Sequence, residues 1–257
     1  MILPIPFSRE IEVKKISTNT VLDVYDEAKN GNIFNAMQSF LLGCITIDGK
    51  KPSVSEIKNF PLVNVEFLIV ESFKKFGLPT KVESVYICPR QGCGSQIIFE
   101  EKNGIDNRID ISELEINYCD EENYLHEFDI NHKINNEIII DKMFFRDITI
   151  GDMIEVSKEK KSTKQMLNDV FFKCLQEISF YTENQSISSI NIKNRYRAEL
   201  FNFENYSDSI RLQKLFRKFG YNLYKEISCS NCGKQWKQAI DFTGFFVYAL
   251  SCIAETS

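Results

Sequence analysis

The chain has 257 residues, of which 43% are hydrophobic and 26% charged, with a formal net charge of -5. That apolar content, which includes 21 Phe, excludes an intrinsically disordered chain. The acidic balance, with a pI near 5.3, argues against general affinity for nucleic acid. Residues 1–6 are short and proline-broken, with no basic-then-apolar leader, and the apolar run at 245–253 is too short to cross a bilayer. A cytosolic protein without a membrane partner is expected. In that reducing compartment, closely spaced cysteines read as metal ligands rather than disulfides.

In chain order, residues 10–13 alternate like a strand, and a short helix follows Thr18 and Thr20, with Thr or Asp as caps. Ile33, Met37, Phe40, Leu41 and Cys44 then form the stripe of a helix with one buried face. A third helix is expected after Asn64, read as its N-cap. It ends at Gly77, with Lys74 and Lys75 in the last turn where cations suit the helix dipole. A β-hairpin follows, carrying Cys88-Pro89-Arg90-Gln91-Gly92-Cys93-Gly94 in its turn. Ile109 and Ile111 alternate on one face of a short strand. Residues 103–133 are otherwise acidic and polar, which predicts a solvated connector, with a boundary near Glu122.

Beyond that boundary the order returns. Residues 137–140 alternate like a strand, with Met143, Phe144 and Phe145 after them, and a short helix starts at Gly151 and Asp152. Met166, Leu167, Val170, Phe171 and Cys174 make the second striped helix. A third is expected from Ser207, again as N-cap, to Gly220, with Arg217 and Lys218 in its last turn. Cys229-Ser230-Asn231-Cys232-Gly233 completes the series. Ile16-Ser17-Thr18-Asn19-Thr20-Val21-Leu22-Asp23-Val24 lines up with Ile148-Thr149-Ile150-Gly151-Asp152-Met153-Ile154-Glu155-Val156. Phe73-Lys74-Lys75-Phe76-Gly77 lines up with Phe216-Arg217-Lys218-Phe219-Gly220. Ordered matches of this kind predict an α+β protein of two tandem repeats, residues 1–122 and 123–257.

Each repeat contributes half of a tetrahedral metal site. Cys88, Cys93, Cys229 and Cys232 are the expected ligands of one structural Zn²⁺, because four soft thiolates close such a site to water. Repeats packed about a pseudo-twofold axis would bring the two hairpins together. Sharing across a homodimer and metal-free turns are the alternatives. Gly94 and Gly233 supply the backbone freedom the turns need. Cys44 and Cys174, on apolar helix faces, read as small core residues. Cys119 and Cys252 have no partner at ligand spacing, and His126 and His132 read as surface histidines in the connector. No phosphate-binding glycine loop, nucleophile elbow or H-E-x-x-H occurs, and a closed thiolate site offers no position to a substrate, so no enzyme is expected.

Several of these features also occur together in a known family. They are the helix at 32–44 with its Cys44-Ile45 ending, and Val65-Glu66-Phe67-Leu68-Ile69-Val70 leading into Phe73-Lys74-Lys75-Phe76-Gly77. Ile87-Cys88-Pro89 with Cys93-Gly94 follows, and then Ile109-Asp110-Ile111-Ser112-Glu113-Leu114-Glu115-Ile116. Over roughly residues 10–118 the chain resembles small baseplate hub and hub-assembly proteins of T-even-like contractile-tailed phages. The resemblance implies a non-enzymatic role in building a tail, in the host cytoplasm during assembly or in the virion tail. Other tail and baseplate proteins, or further copies of the chain, would be its partners. The chain departs from that family in carrying two copies. The competing reading is a zinc-ribbon nucleic-acid-binding protein, such as a phage transcription factor. It draws on Trp236 beside a knuckle and on Arg90, Lys225, Lys234 and Lys237. Trp236 is expected to pack as core against the knuckle.

Overall fold

The computed structural model describes residues 1–121, 124–134, 138–159, 161–182, 189–203 and 206–254, and it is mixed helix and sheet. Strand β1 (Ile11–Val13) leads to helices α1 (Thr18–Lys29) and α2 (Ile33–Cys44), and α2 runs directly into β2 (Ile45–Ile47), which pairs antiparallel with β1. The cap of α1 is Ser17, one residue before the expected start, whose hydroxyl accepts from the Thr20 N–H at 3.2 Å. A short helix α3 (Val54–Lys58), closed by a Ser53–Glu56 capping box, was not foreseen.

Helix α4 (Leu62–Phe76) begins at Pro61, so Asn64 is not its cap. Asn64 lies inside the first turn, buried, and its amide clasps Ile5, accepting from the Ile5 N–H at 2.9 Å and donating to its carbonyl at 2.8 Å. The helix does end at Gly77, in the left-handed conformation (φ 65), with Lys74 and Lys75 in the last turn. Short strands follow: β3 (Lys81–Val82), β4 (Ser84–Ile87), β5 (Gln96–Phe99), β6 (Glu101–Lys102), β7 (Ile105–Asp106) and β8 (Ile109–Asp110). After them come a 3-10 turn (Ile111–Glu113) and β9 (Ile116–Asn117). Strands β4 and β5 form the first cysteine hairpin, and β8 pairs with β3, burying Ile109. Ile111 is buried beside it from the 3-10 turn.

The boundary expected at Glu122 falls outside the described residues. The connector reading fails beyond it, because β10 (His126–Ile134) is a nine-residue strand. Its alternation buries His126, Phe128, His132 and Ile134 while Glu127, Asp129 and Lys133 face out. Polar residues there are one face of a strand, not a solvated linker. The two histidines are therefore core residues rather than surface ones. His126 Nε2 and Asp147 Oδ1 share a hydrogen bond at 3.0 Å, under the rings of Tyr124 and Phe216. His132 Nε2 donates to the Glu199 carbonyl at 2.8 Å.

Strand β11 (Ile138–Phe145) pairs with β10, and helices α5 (Ile150–Ser157) and α6 (Thr163–Cys174) come next. Both carry capping boxes, Thr149 with Asp152 and Ser162 with Gln165. Helix α6 runs directly into β12 (Leu175–Thr182), which completes a three-stranded antiparallel sheet on the other edge of β11. Helices α7 (Ser189–Arg195) and α8 (Tyr206–Leu215) cover it. Helix α8 stops at Leu215, so Ser207 lies within it and Gly220 is not its cap. Gly220 (φ +84) instead opens β13 (Gly220–Tyr221), which pairs with β9. A Cβ there would sit 2.9 Å from the Val63 side chain. Strands β14 (Tyr224–Ser228) and β15 (Gln235–Ala239) form the second cysteine hairpin, and α9 (Phe242–Ala254) ends the described chain.

Two hydrophobic cores result; the smaller is drawn from one stretch of chain, 128–216, whereas the larger is not. The larger joins α1, α2 and α4 to the C-terminal helix: Phe246 lies 5.8 Å from Phe40, and Phe245 the same distance from Phe73. The apolar run at 245–253 is thus the buried face of α9, which closes the first core. The smaller core lies between the β10–β12 sheet and α6–α8, with Phe171 and Phe216 stacked at 5.5 Å. Helix α5 serves both, Ile150 and Ile154 facing the first core and Val156 the second. The seam carries main-chain bonds, Leu62 N–H to Ile148 C=O at 2.8 Å and Ile150 N–H to Phe60 C=O at 3.0 Å. It also carries an ion pair, since Arg217 lies beyond its helix and donates from Nη1 to both oxygens of buried Glu66, at 2.8 and 2.7 Å.

The Glu66 side chain is 5% exposed and that of Arg217 38%. Arg217→Met should therefore destabilise by about 1–3 kcal/mol, less than a fully enclosed pair would lose. Adding Glu66→Gln should restore most of that in a double-mutant cycle followed by urea unfolding, and strictly additive losses would contradict a coupled pair.

Burial, helped by the charge of Lys218, pushes His126 down from 6.5 to about 4, and burial raises Asp147 from 3.8 to about 7. A lowered histidine loses stability as pH falls from 6.5 towards 4, whereas a raised carboxyl loses stability as pH rises through 7. The slopes oppose, because folded and unfolded pairs each hold one proton in that window. Asp147→Asn should unmask the histidine slope, costing about 2 kcal/mol relative to wild type between pH 7 and pH 4.5. Parallel pH profiles for the two proteins would contradict this.

Candidate metal centre

Each knuckle is shaped by its hairpin. The strands of the first bring the Cys88 N–H to the Ser95 carbonyl at 2.9 Å, and the Cys93 N–H closes on the Arg90 carbonyl at 3.0 Å. In the second, the Cys229 N–H meets the Lys234 carbonyl at 2.9 Å, and the Gly233 N–H returns to the Cys229 carbonyl at 2.8 Å. Gly94 (φ +59) and Gly233 (φ +69), each just after a cysteine, take left-handed conformations that a β-carbon would strain.

The two turns meet face to face. Cys88 Sγ lies 3.6 Å from Cys232 Sγ, and Cys93 Sγ lies 3.7 Å from Cys229 Sγ. All four sulfurs lie within 4.8 Å of one another. Four thiolates about 2.3 Å from a central ion stand about 3.8 Å apart at the corners of a tetrahedron, so the set fits a metal of that geometry. A disulfide requires about 2.05 Å, and none of these cysteines is in one. The four residues that the spacing singled out are the four the fold brings together, from two hairpins that both border the larger core.

Polar groups around the sulfurs hold the turns in register. Arg90 Nη1 donates to the Cys232 carbonyl at 3.1 Å, crossing from the first knuckle to the second. Asn231 reaches back, donating to Ser95 Oγ at 3.0 Å and to Cys93 Sγ at 3.6 Å. Such donors orient thiolates and offset their charge. Hydrogen bonding with Ser95 lowers Cys93 to about 6, whereas burial pushes Cys88 up to about 12. The sulfurs are thus unequal until a cation stands among them and stabilises every thiolate at once. Ser95 and Asn231 gave no signal in the sequence beyond their position next to a cysteine pair.

The remaining cysteines and histidines stay apart from this cluster. Cys44 and Cys174 are fully buried as the last residues of α2 and α6, and burial holds both thiols up at about 12. Cys119 donates to the Glu121 carbonyl at 3.3 Å. Trp236 is half-buried on β15, with Nε1 donating to Gln238 at 3.2 Å. Among the described residues no helix is long and apolar enough to cross a membrane. No protein-family model, curated protein or solved structure matches the chain.

Cys229→Ser should abolish stoichiometric metal binding and lower the melting temperature by about 6–12 °C. That corresponds to about 3 kcal/mol for a chain of this size, less than a metal contributes to a zinc-finger peptide that has no other core. An unchanged melting temperature would remove the site from the structural framework.

Proposed function

We propose that the chain is a non-enzymatic structural or assembly component, two tandem repeats pinned knuckle to knuckle by one structural zinc ion. The observation that carries this reading is the tetrahedral spacing of four sulfurs supplied in pairs by two distant hairpins. Zinc is the ion proposed, because an all-thiolate tetrahedral set suits it and a joint of this kind needs no redox chemistry. With four protein ligands no coordination position is left for a substrate or water.

The repeat reading has support beyond the sequence matches. Helices α2 and α6 both end on a buried cysteine and pass directly into a strand. A twofold axis would exchange Cys88 with Cys229 and Cys93 with Cys232. It would make the Cys88–Cys232 and Cys93–Cys229 separations equal, and they are 3.6 and 3.7 Å.

Protein contacts, rather than nucleic acid, are the proposed mode of action. The outward face of the first hairpin carries Val85, Ile87 and Ile98, exposed at 56%, 64% and 45%. The matching positions of the second hairpin hold Glu226, Ser228 and Lys237, so the hairpin fold itself does not demand apolar side chains there. Of the cations the nucleic-acid alternative draws on, Arg90 is engaged with the Cys232 carbonyl and Lys237 pairs with Glu226 at 3.8 Å. Together with the resemblance to baseplate hub proteins, these features support a role in a contractile phage tail, with other tail proteins as partners. Deleting the gene from the phage genome that carries it should leave tails lacking a functional baseplate. Intact, infective tails from the deletion would contradict the proposal.

A further inference from the structure

The four cysteines have a second chemistry that the metal masks. We propose that they are two latent disulfides, Cys88 with Cys232 and Cys93 with Cys229, which join the hairpins covalently when a peroxide-class oxidant displaces the metal. The inference rests on the metal reading above for its starting state, but its geometry belongs to the protein alone.

Three observations select this pairing. The close sulfur contacts run between the hairpins, at 3.6 and 3.7 Å, so each pair needs to close by only about 1.6 Å to reach bonding distance. The knuckles are also held face to face by groups that do not depend on the metal, Arg90 on the Cys232 carbonyl and Asn231 on Ser95. Opposing sulfurs therefore stay neighbours after the ion leaves. Finally, each pair joins a half-buried cysteine, Cys93 or Cys232, to a buried one, Cys229 or Cys88. That is the arrangement of an accessible thiolate beside its resolving partner.

The chemistry balances for each pair. The accessible thiolate attacks peroxide, the O–O bond breaks, and a sulfenic acid and hydroxide result. The buried thiolate then attacks the sulfenic sulfur, the S–O bond breaks, and a second hydroxide leaves as the S–S bond forms. One peroxide is reduced and two thiolates are oxidised. With two ligands consumed, the metal loses half its coordination sphere and departs. The consequence is a joint that holds under both conditions, by metal where thiols are kept reduced and by disulfides where they are not.

The test is peptide mapping of the full chain by mass spectrometry after hydrogen peroxide treatment, run on metal-loaded and on chelator-stripped protein. Both should yield cross-linked peptides Cys88–Cys232 and Cys93–Cys229, with the mass of two hydrogens lost per disulfide and metal released from the loaded sample. The double variant Cys88→Ser, Cys232→Ser should still form Cys93–Cys229. Pairs within one knuckle, or oxidation stopping at sulfinic acid, would overturn the proposal while leaving the metal reading intact. If no metal binds at the outset, the stripped sample still decides the pairing.

Discussion

Four sulfur atoms held at tetrahedral distance, two from each of two hairpins, are the constraint on which the architecture turns. Cys93 and Cys229 are 136 positions apart in the chain, yet their sulfurs stand 3.7 Å apart. Holding thiolates that close without a cation sets like charges against one another, and a metal turns that repulsion into a joint. The hairpins can meet only if everything between them returns the chain to the same place.

The rest of the fold accomplishes that return. Strand β9 pairs with β13 just before the second hairpin, and Gly220 admits the backbone beside Val63 where a side chain would collide. Arg217, at the end of the second helical layer, is anchored on Glu66 in the first. Helix α9 leaves the second hairpin and inserts Phe245 and Phe246 among Phe40 and Phe73. The Arg217–Glu66 pair crosses the seam between the cores, while the β9–β13 pairing and α9 complete the larger core, so a metal between the knuckles would reinforce packing already present, and losing it should weaken the chain without erasing the cores.

Much of this was legible in the sequence, and for identifiable reasons. The stripes at 33–44 and 163–174 became α2 and α6 because their period matches a buried helical face, and Cys44 and Cys174 fell inside it. The cysteine pairs fell in hairpin turns because glycine follows each pair where the backbone turns left-handed. Where the reading failed, tertiary contacts had overruled local chemistry. Asn64 has the composition of a cap but is spent on Ile5, and Pro61 starts the helix instead. The acidic stretch before Lys133 masked a strand, because its buried members include two histidines whose polar atoms are satisfied by Asp147 and Glu199. A pattern that counts histidine as polar cannot see that alternation. Helix α9 was unreadable for a related reason, since an almost wholly apolar segment has no periodicity to detect.

The central claim is that one metal ion joins the two knuckles of a single chain. Native mass spectrometry of protein purified without chelator, recording metal content and oligomeric mass together, tests it most directly. The account predicts one zinc ion per chain, carried by the monomer and by every oligomer in proportion. Protein that carries no metal, or one ion for every two chains and only in dimers, would contradict it.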